Sequence, residues 1–297
     1  GQILRSVPGA ITGAEFDFIV ETLKARSGLA LTDDRMSMVV GRLVPVARHF
    51  GFRNLHELVA ELRAGRRETL VRAVTEAMTT NESSFFRDKA AFDHIRLALL
   101  PELVARRAAS RRLRIWSAAA STGQEVYSMA MLLDDMRLAQ NGWKIELLAT
   151  DINSASLARA KTGLYSQFEV QRGLPVPQLV QHFTQDGEQW RIDAALRRMV
   201  TFRNFNLLDP FDKLGHFDIV LCRNVLIYFD SPTKQGVLKK LNGVLSEDGH
   251  LILGATESTV GISNAFEPVA NARGFYLKPA SPPPRRVPHA LPLTKYQ

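Results

Sequence analysis

The chain of 297 residues holds one cysteine, Cys222. An intrachain disulfide is therefore impossible, and a reducing, cytoplasmic compartment is the natural expectation. No run reaches the ~18 uncharged apolar residues that a membrane-spanning helix needs, so direct membrane insertion is not expected. Residues Gly1 to Ala10 carry no apolar stretch of the secretory-signal kind. The single cysteine and the scattered histidines have no metal-ligand spacing, so no metal is expected. The dinucleotide fingerprint G-x-G-x-x-G is missing too. Acidic residues are absent from Pro268 to Gln297, while Arg273, Lys278, Arg285, Arg286 and Lys295 are present. Those five supply most of the net charge of +8. A charge excess gathered there argues against a nucleic-acid groove, and no nucleic-acid partner is expected.

What is present divides into two parts. The first ~76 residues read as helices. Thr12-Gly13-Ala14-Glu15 is a capping-box pattern, followed by Phe16, Ile19, Val20 and Leu23 at helical spacing. A second helix is expected from about Asp34 to Phe50, and Pro45 inside it should kink or break it. Leu55, Leu58, Val59 and Leu62 mark a third helix, and Leu70, Val71, Val74 and Met78 a fourth. Residues 77–93 read as a linker and 94–280 as an α/β domain. Its strands are expected at Leu113–Ala119, Ile145–Ala149, Val200–Phe202, Phe217–Cys222 and His250–Leu253, with a helix around Val237 to Leu245. Alternating strands and helices predict a parallel sheet with covered faces. A segment of about 164–200 breaks the rhythm and reads as an inserted subdomain. Residues 281–297, opening on Ser281-Pro282-Pro283-Pro284, read as a flexible proline-rich tail.

Open α/β sheets bind ligands beyond the carboxyl ends of their strands. The first strand runs into Ala118-Ala119-Ala120-Ser121-Thr122-Gly123-Gln124-Glu125, where small residues admit a cofactor close to the backbone. Asp151 ends the second strand. It suits either the two hydroxyls of a ribose or the N-cap of the next helix. Asn206 after the third strand suits either a base edge or a turn. Arg223 and Asn224 follow a buried apolar strand, where polar groups need partners. The stretch Thr79 to Asp88 sets Asn81, Ser83 and Arg87 beside the pair Phe85-Phe86.

Taken together, TTNESSFFRD (79–88), RIWSAAASTGQEVYS (114–128), LLATDI (147–152), FNLLD (205–209) and FDIVLCRNVLIYF (217–229) resemble the chemotaxis receptor methyltransferase family. The resemblance runs in order from about Ile11 to Leu277. It implies an all-α N-terminal domain and a Rossmann-like S-adenosylmethionine-dependent methyltransferase domain with a small antiparallel β insertion. It implies that Asn81, Ser83 and Arg87 line the cofactor pocket, that Glu125 faces the methionine moiety and that Asp151 holds the ribose. Asn206 and Leu207 would frame the adenine, Arg223 and Asn224 would close the pocket, and Arg87 and Tyr228 would serve catalysis. The implied product is S-adenosylhomocysteine, and the implied substrate is glutamate on the cytoplasmic helical region of methyl-accepting chemoreceptors.

The sequence departs from the family pattern at Gln124, at Val126, where proline is usual, and at Pro45-Val46, where arginines are usual. Arg35, Arg42 and Arg48 remain as receptor-recognition candidates on one helix face. The hairpin around Gln185-Asp186-Gly187-Glu188 is short, which implies docking independent of a receptor's C-terminal tail peptide. A methyltransferase for RNA, a small molecule or another protein is the alternative reading, and a non-enzymatic cofactor-binding module is a second.

Overall fold

The computed structural model describes residues 9–279; the proline-rich stretch 281–297 lies outside the described residues. Helix α1 (Gly13–Ser27) starts at the expected capping box and stops at Gly28, whose φ of 78° is left-handed. Glu15 returns the cap by accepting from the Thr12 amide at 2.8 Å. A 3-10 turn (Asp33–Arg35) leads into α2 (Met36–Phe50). α2 runs unbroken through Pro45, so of the expected kink or break the break does not occur. Proline removes one backbone bond there. Its ring faces solvent, while Val39, Leu43, Val46 and Ala47 dock the opposite stripe. Val39, Leu43 and Val46 each contribute roughly 1.5–3 kcal/mol when fully buried, enough to offset the missing bond. α3 (Leu55–Ala64) and α4 (Glu68–Met78) complete a core built on Phe16, Ile19, Leu43, Leu58 and Val74.

After the linker come α5 (Lys89–His94), a π-helical turn (Ile95–Leu99) and α6 (Leu100–Arg106). The α/β part then runs β1 (Arg112–Ser117), α7 (Gln124–Asp135), β2 (Lys144–Asp151) and α8 (Ser154–Thr162). The insertion holds β3 (Leu164–Ser166), α9 (Gln167–Gln171), α10 (Val176–His182), β4 (Phe183–Asp186), β5 (Gln189–Ile192) and α11 (Ala194–Met199). The main sheet resumes with β6 (Val200–Asn204), β7 (Phe217–Cys222), α12 (Ser231–Val244), β8 (Leu245–Leu253), β9 (Glu267–Pro268) and β10 (Phe275–Leu277). α12 begins earlier than its apolar pattern suggests. Asp230 caps it, accepting from the Thr233 amide at 3.0 Å, and Pro232 suits its first turn.

The seven strands lie in the order β6-β2-β1-β7-β8-β10-β9, and β10 runs antiparallel to its neighbours. Every residue of β7 is buried, as expected of a central parallel strand covered on both faces. The strand order reverses between β1 and β7, so a crevice opens beyond their carboxyl ends. The insertion forms a separate antiparallel sheet, β3-β5-β4. It is joined to the linker by an aromatic plug. Phe85 is fully buried, with its ring edge-on to Tyr165 at 4.9 Å and to Phe183 at 5.6 Å. Gly173 is required beside it, because a Cβ there would stand 2.1 Å from the Phe85 carbonyl oxygen.

Candidate active site

One cleft of about 980 Å³ opens beyond the strand ends. It gathers Asn81, Ser83 and Arg87 of the linker with Glu125, Asp151, Asn206, Leu207, Arg223, Asn224 and Tyr228. Arg35, Arg42 and Arg48 lie away from it. Two further lining residues, Ser27 and Leu29, come from the helical domain. Sequence reasoning missed them, although Gly28 marks the turn that delivers them. Leu29 forms a β-bridge with Phe229, and the Ala30 amide donates to the Tyr228 carbonyl at 2.8 Å. The helical domain thus closes one wall of the cleft.

The two carboxylates are set in different ways. Asp151 is buried at the end of β2. One oxygen accepts from the Ser121 amide at 2.8 Å and the other from the Asn153 amide at 2.9 Å. It is not the N-cap of α8, since Asn153 takes that place by accepting from the Ser156 amide. A carboxylate offers about four lone-pair sites, so Asp151 keeps capacity for hydroxyl donors. Burial pushes its carboxyl above the usual range, with the backbone amides pulling the other way. Glu125, in the first turn of α7, accepts from the Ser117 hydroxyl at 2.8 Å and from Arg223 Nη1 at 3.3 Å. Burial raises its carboxyl too, against the pull of Arg223 and Ser117. Such a group gains most from a cationic ligand.

The arginines also differ. Arg223 is 5% exposed and fastened into the protein. It donates to the Arg87 carbonyl at 2.8 Å, pairs with Glu125, lies 3.8 Å from Asp88, and sits over the Phe92 ring. Its Nε is buried without a partner among the described residues. Arg87 is half-buried, with one long bond to the Glu82 carbonyl at 3.4 Å. Most of its guanidinium donors therefore remain available to a ligand.

Two of the expected residues have partners within the protein. Asn206 lines the cleft and keeps one amide hydrogen free. Nδ2 donates to the Arg26 carbonyl at 2.6 Å and Oδ1 accepts from the Leu208 amide at 3.0 Å. It clasps the end of α1 to the loop after β6. Arg42 is not part of a free docking face. It donates to the carbonyls of Met78 and Thr79 at 2.9 and 3.3 Å. Those carbonyls at the end of α4 have no intrahelical donor, which is why a cation settles there.

Among known proteins, a family model described as CheR methyltransferase, SAM binding domain, matches residues 81–275. A second, described as CheR methyltransferase, all-alpha domain, matches residues 14–79. The chain is 38% identical to Chemotaxis protein methyltransferase Cher2 of Pseudomonas putida, over 85% of this chain and 93% of that one. It is 37% identical to Chemotaxis protein methyltransferase 1 of Pseudomonas aeruginosa, over 88% and 96%. A relative of the same name from Vibrio cholerae is 36% identical, over 90% and 98%.

The chain belongs to the CheR methyltransferase family. As a CheR methyltransferase it is an S-adenosylmethionine-dependent enzyme, and its cleft fits that cofactor. Ala118 and Ala119 keep the strand end narrow, and Glu125 and Asp151 each retain acceptor capacity toward the cleft. Among the described residues no cluster of His, Cys, Asp and Glu is placed to hold a metal, and no helix is long and apolar enough to cross a membrane.

Proposed function

We propose that this enzyme methylates glutamate side chains on the cytoplasmic helical region of chemoreceptors, forming glutamyl methyl esters for sensory adaptation. The observation that carries this reading is the meeting of Arg87 and Tyr228 with the buried pair Glu125 and Asp151 in one cleft of a CheR-family chain. In this reading Asp151 holds the ribose and Glu125 attracts the methionine ammonium. Asn81, Ser83, Leu207 and Asn224 line the bound cofactor, and Arg223 keeps Glu125 and the linker in register.

When bound, S-adenosylmethionine supplies a sulfonium methyl that is already electrophilic. A glutamate carboxylate with a pKa near 4.3 is already ionised at neutral pH, so no residue of the chain has to act as a base. What remains is orientation. Arg87 and Tyr228 hold the acceptor carboxylate so that one oxygen approaches in line, and fixing that geometry supplies most of the advantage. An Arg87 pair that only tightened the ground state would not raise the rate.

We assign residues 1–76 to receptor recognition, 77–93 to the linker and 94–280 to the methyltransferase domain, and we place the protein in the cytoplasm. Docking that does not need a receptor tail is favoured by the brevity of β4 and β5, joined at Gly187-Glu188. An edge of that length gives an added peptide strand few backbone partners. Incubation with labelled methyl donor and receptor fragments, followed by alkaline release of volatile methanol, tests the reading. Label that stays bound through alkali marks a different acceptor and sinks it.

A further inference from the structure

Glu257 lies between β8 and β9, outside every segment singled out in the sequence. It is 8% exposed and does not line the cleft. Its carboxylate nevertheless holds the loop that follows β7. Oε2 accepts from the Asn224 amide at 2.7 Å and from the Gly254 amide at 2.7 Å. Oε1 accepts from the Val225 amide at 3.1 Å and the Ile227 amide at 3.3 Å. These amides come from the ends of two adjacent parallel strands, β7 and β8.

Backbone amides that converge on one point form an anion site, and here the protein's own carboxylate fills it. The convergence depends on an unusual backbone. Asn224 is left-handed at φ 56°, and Val225 has φ −127° and ψ −37°. Neither is sheet geometry, so these amides have no ladder partner. Without Glu257 three amides of this loop, on the partly buried Asn224 and Val225 and on Ile227, would lose their acceptor. The surroundings leave the carboxylate just enough room. A Cβ on Gly254 would stand 2.8 Å from Glu257 Oε2 and 2.7 Å from Asn224 Nδ2. The residues so fixed are the ones the cleft uses. Asn224 lines it directly, and Ile227 immediately precedes Tyr228.

We infer that Glu257 is a positioning residue for methyl transfer, setting Asn224 and Tyr228 in the cleft through four backbone hydrogen bonds. The inference rests on the proposed role of Tyr228 for its effect on rate, and on the loop geometry alone for its effect on structure. Glu257→Gln keeps the shape but places an NH2 where an oxygen accepts two amides. The substitution is expected to lower kcat about tenfold or more while donor affinity moves less than about threefold. Combined with Tyr228→Phe, the losses should multiply to less than their product, because one acts through the other. Leu103→Ala, a buried position remote from the loop, serves as a control of reduced melting temperature with kcat retained.

If Glu257→Gln does not fold, Gly254→Ala displaces the same carboxylate and should give the same split. Hydrogen exchange of residues 224–227 needs no acceptor and should quicken in either variant. Three results overturn the inference: kcat within about twofold of wild type in a folded variant, fully multiplicative losses with Tyr228→Phe, or unchanged exchange. A wild-type protein that forms no alkali-labile ester sinks the acceptor assignment instead, and the exchange measurement still decides Glu257.

Discussion

The linker and the loop after β7 both line the cleft, but they are held by opposite means. The linker is anchored by an apolar plug, Phe85, locked among Tyr165 and Phe183. Polar contacts also steady its backbone, among them Arg223 donating to the Arg87 carbonyl. The Phe86 amide donates to the Ser128 hydroxyl at 2.9 Å, and the Ser121 hydroxyl donates to the Asn81 carbonyl at 2.9 Å. The loop is anchored by one ion, Glu257, gripping its amides. Ring packing spreads over many weak contacts and leaves neighbouring polar side chains unspent, so Arg87 is available to a ligand. A charged acceptor fixes backbone atoms closely but fails when its charge is removed. The linker is therefore built to carry reactive side chains, and the loop to keep one backbone shape.

The largest effect should come from removing the plug. Phe85→Ala opens a cavity under the linker and is expected to cost roughly 3–5 kcal/mol in denaturant unfolding. If the loss stays below about 1 kcal/mol, the linker is not held by Phe85 and the contrast collapses. Next comes Asp151→Ala, which removes the acceptor of the Ser121 amide together with the proposed ribose contact. Donor affinity measured by calorimetry should weaken by roughly 1–3 kcal/mol. Unchanged affinity would remove the ribose assignment.

Glu125 supplies a pH test on the same wall. Burial raises its carboxyl, so the proton returns at a higher pH than on a free glutamate. Donor affinity should fall as pH drops through that raised value, since only the anion attracts an ammonium. In Glu125→Gln, affinity should be weaker and the acid fall shallower, with Asp151 left as the remaining titrating carboxylate. An identical pH profile in both proteins would show that Glu125 does not meet the donor. Tyr228→Phe should act more narrowly. Turnover falls by about tenfold, roughly 1.4 kcal/mol, while the melting temperature barely moves. Full activity would show that the hydroxyl takes no part.

The cleft was legible in the sequence where its signals are local. Apolar strands ending in Asp151 or in Arg223-Asn224 place polar residues at the mouth of a sheet, and these three line it; Leu207 and Tyr228, which also line it, were expected from the family resemblance. What was illegible depends on distant partners. Glu257 meets the β7 loop across a sequence separation of 33, and no pattern near it announces four converging amides. Ser27 and Leu29 belong to the cleft because another domain packs there. Asn206 and Arg42 looked unoccupied, because the carbonyls they satisfy lie at the ends of other helices. Pro45 read as a break because the sequence does not show how much apolar surface the rest of α2 buries.

The smallest expected effects concern receptor docking by the helical domain. Arg42 is spent on the end of α4, so a loss in Arg42→Ala would report domain packing before it reported docking. The exposed candidates are Arg35 and Arg48. Arg35 sits in the 3-10 turn before α2 and pairs with Asp34 at 3.5 Å, both side chains facing solvent. At about 100° per residue, Arg48 lies roughly a third of a turn around the helix from Arg42. Arg35 precedes Arg48 by roughly 140° around and about 20 Å along an ideal helix, so the two exposed arginines do not form one patch. Pairs of exposed charges contribute about 0–1 kcal/mol each and are screened by salt. Arg35→Ala and Arg48→Ala should each reduce receptor methylation by less than about fivefold at low salt, and the deficit should vanish at high salt. Arg42→Ala should instead lower the melting temperature whatever the salt. The decisive arm uses receptor with and without its C-terminal tail. If removing the tail abolishes methylation while salt, Arg35→Ala and Arg48→Ala change nothing, the short β4–β5 hairpin captures the receptor and the helical domain does not.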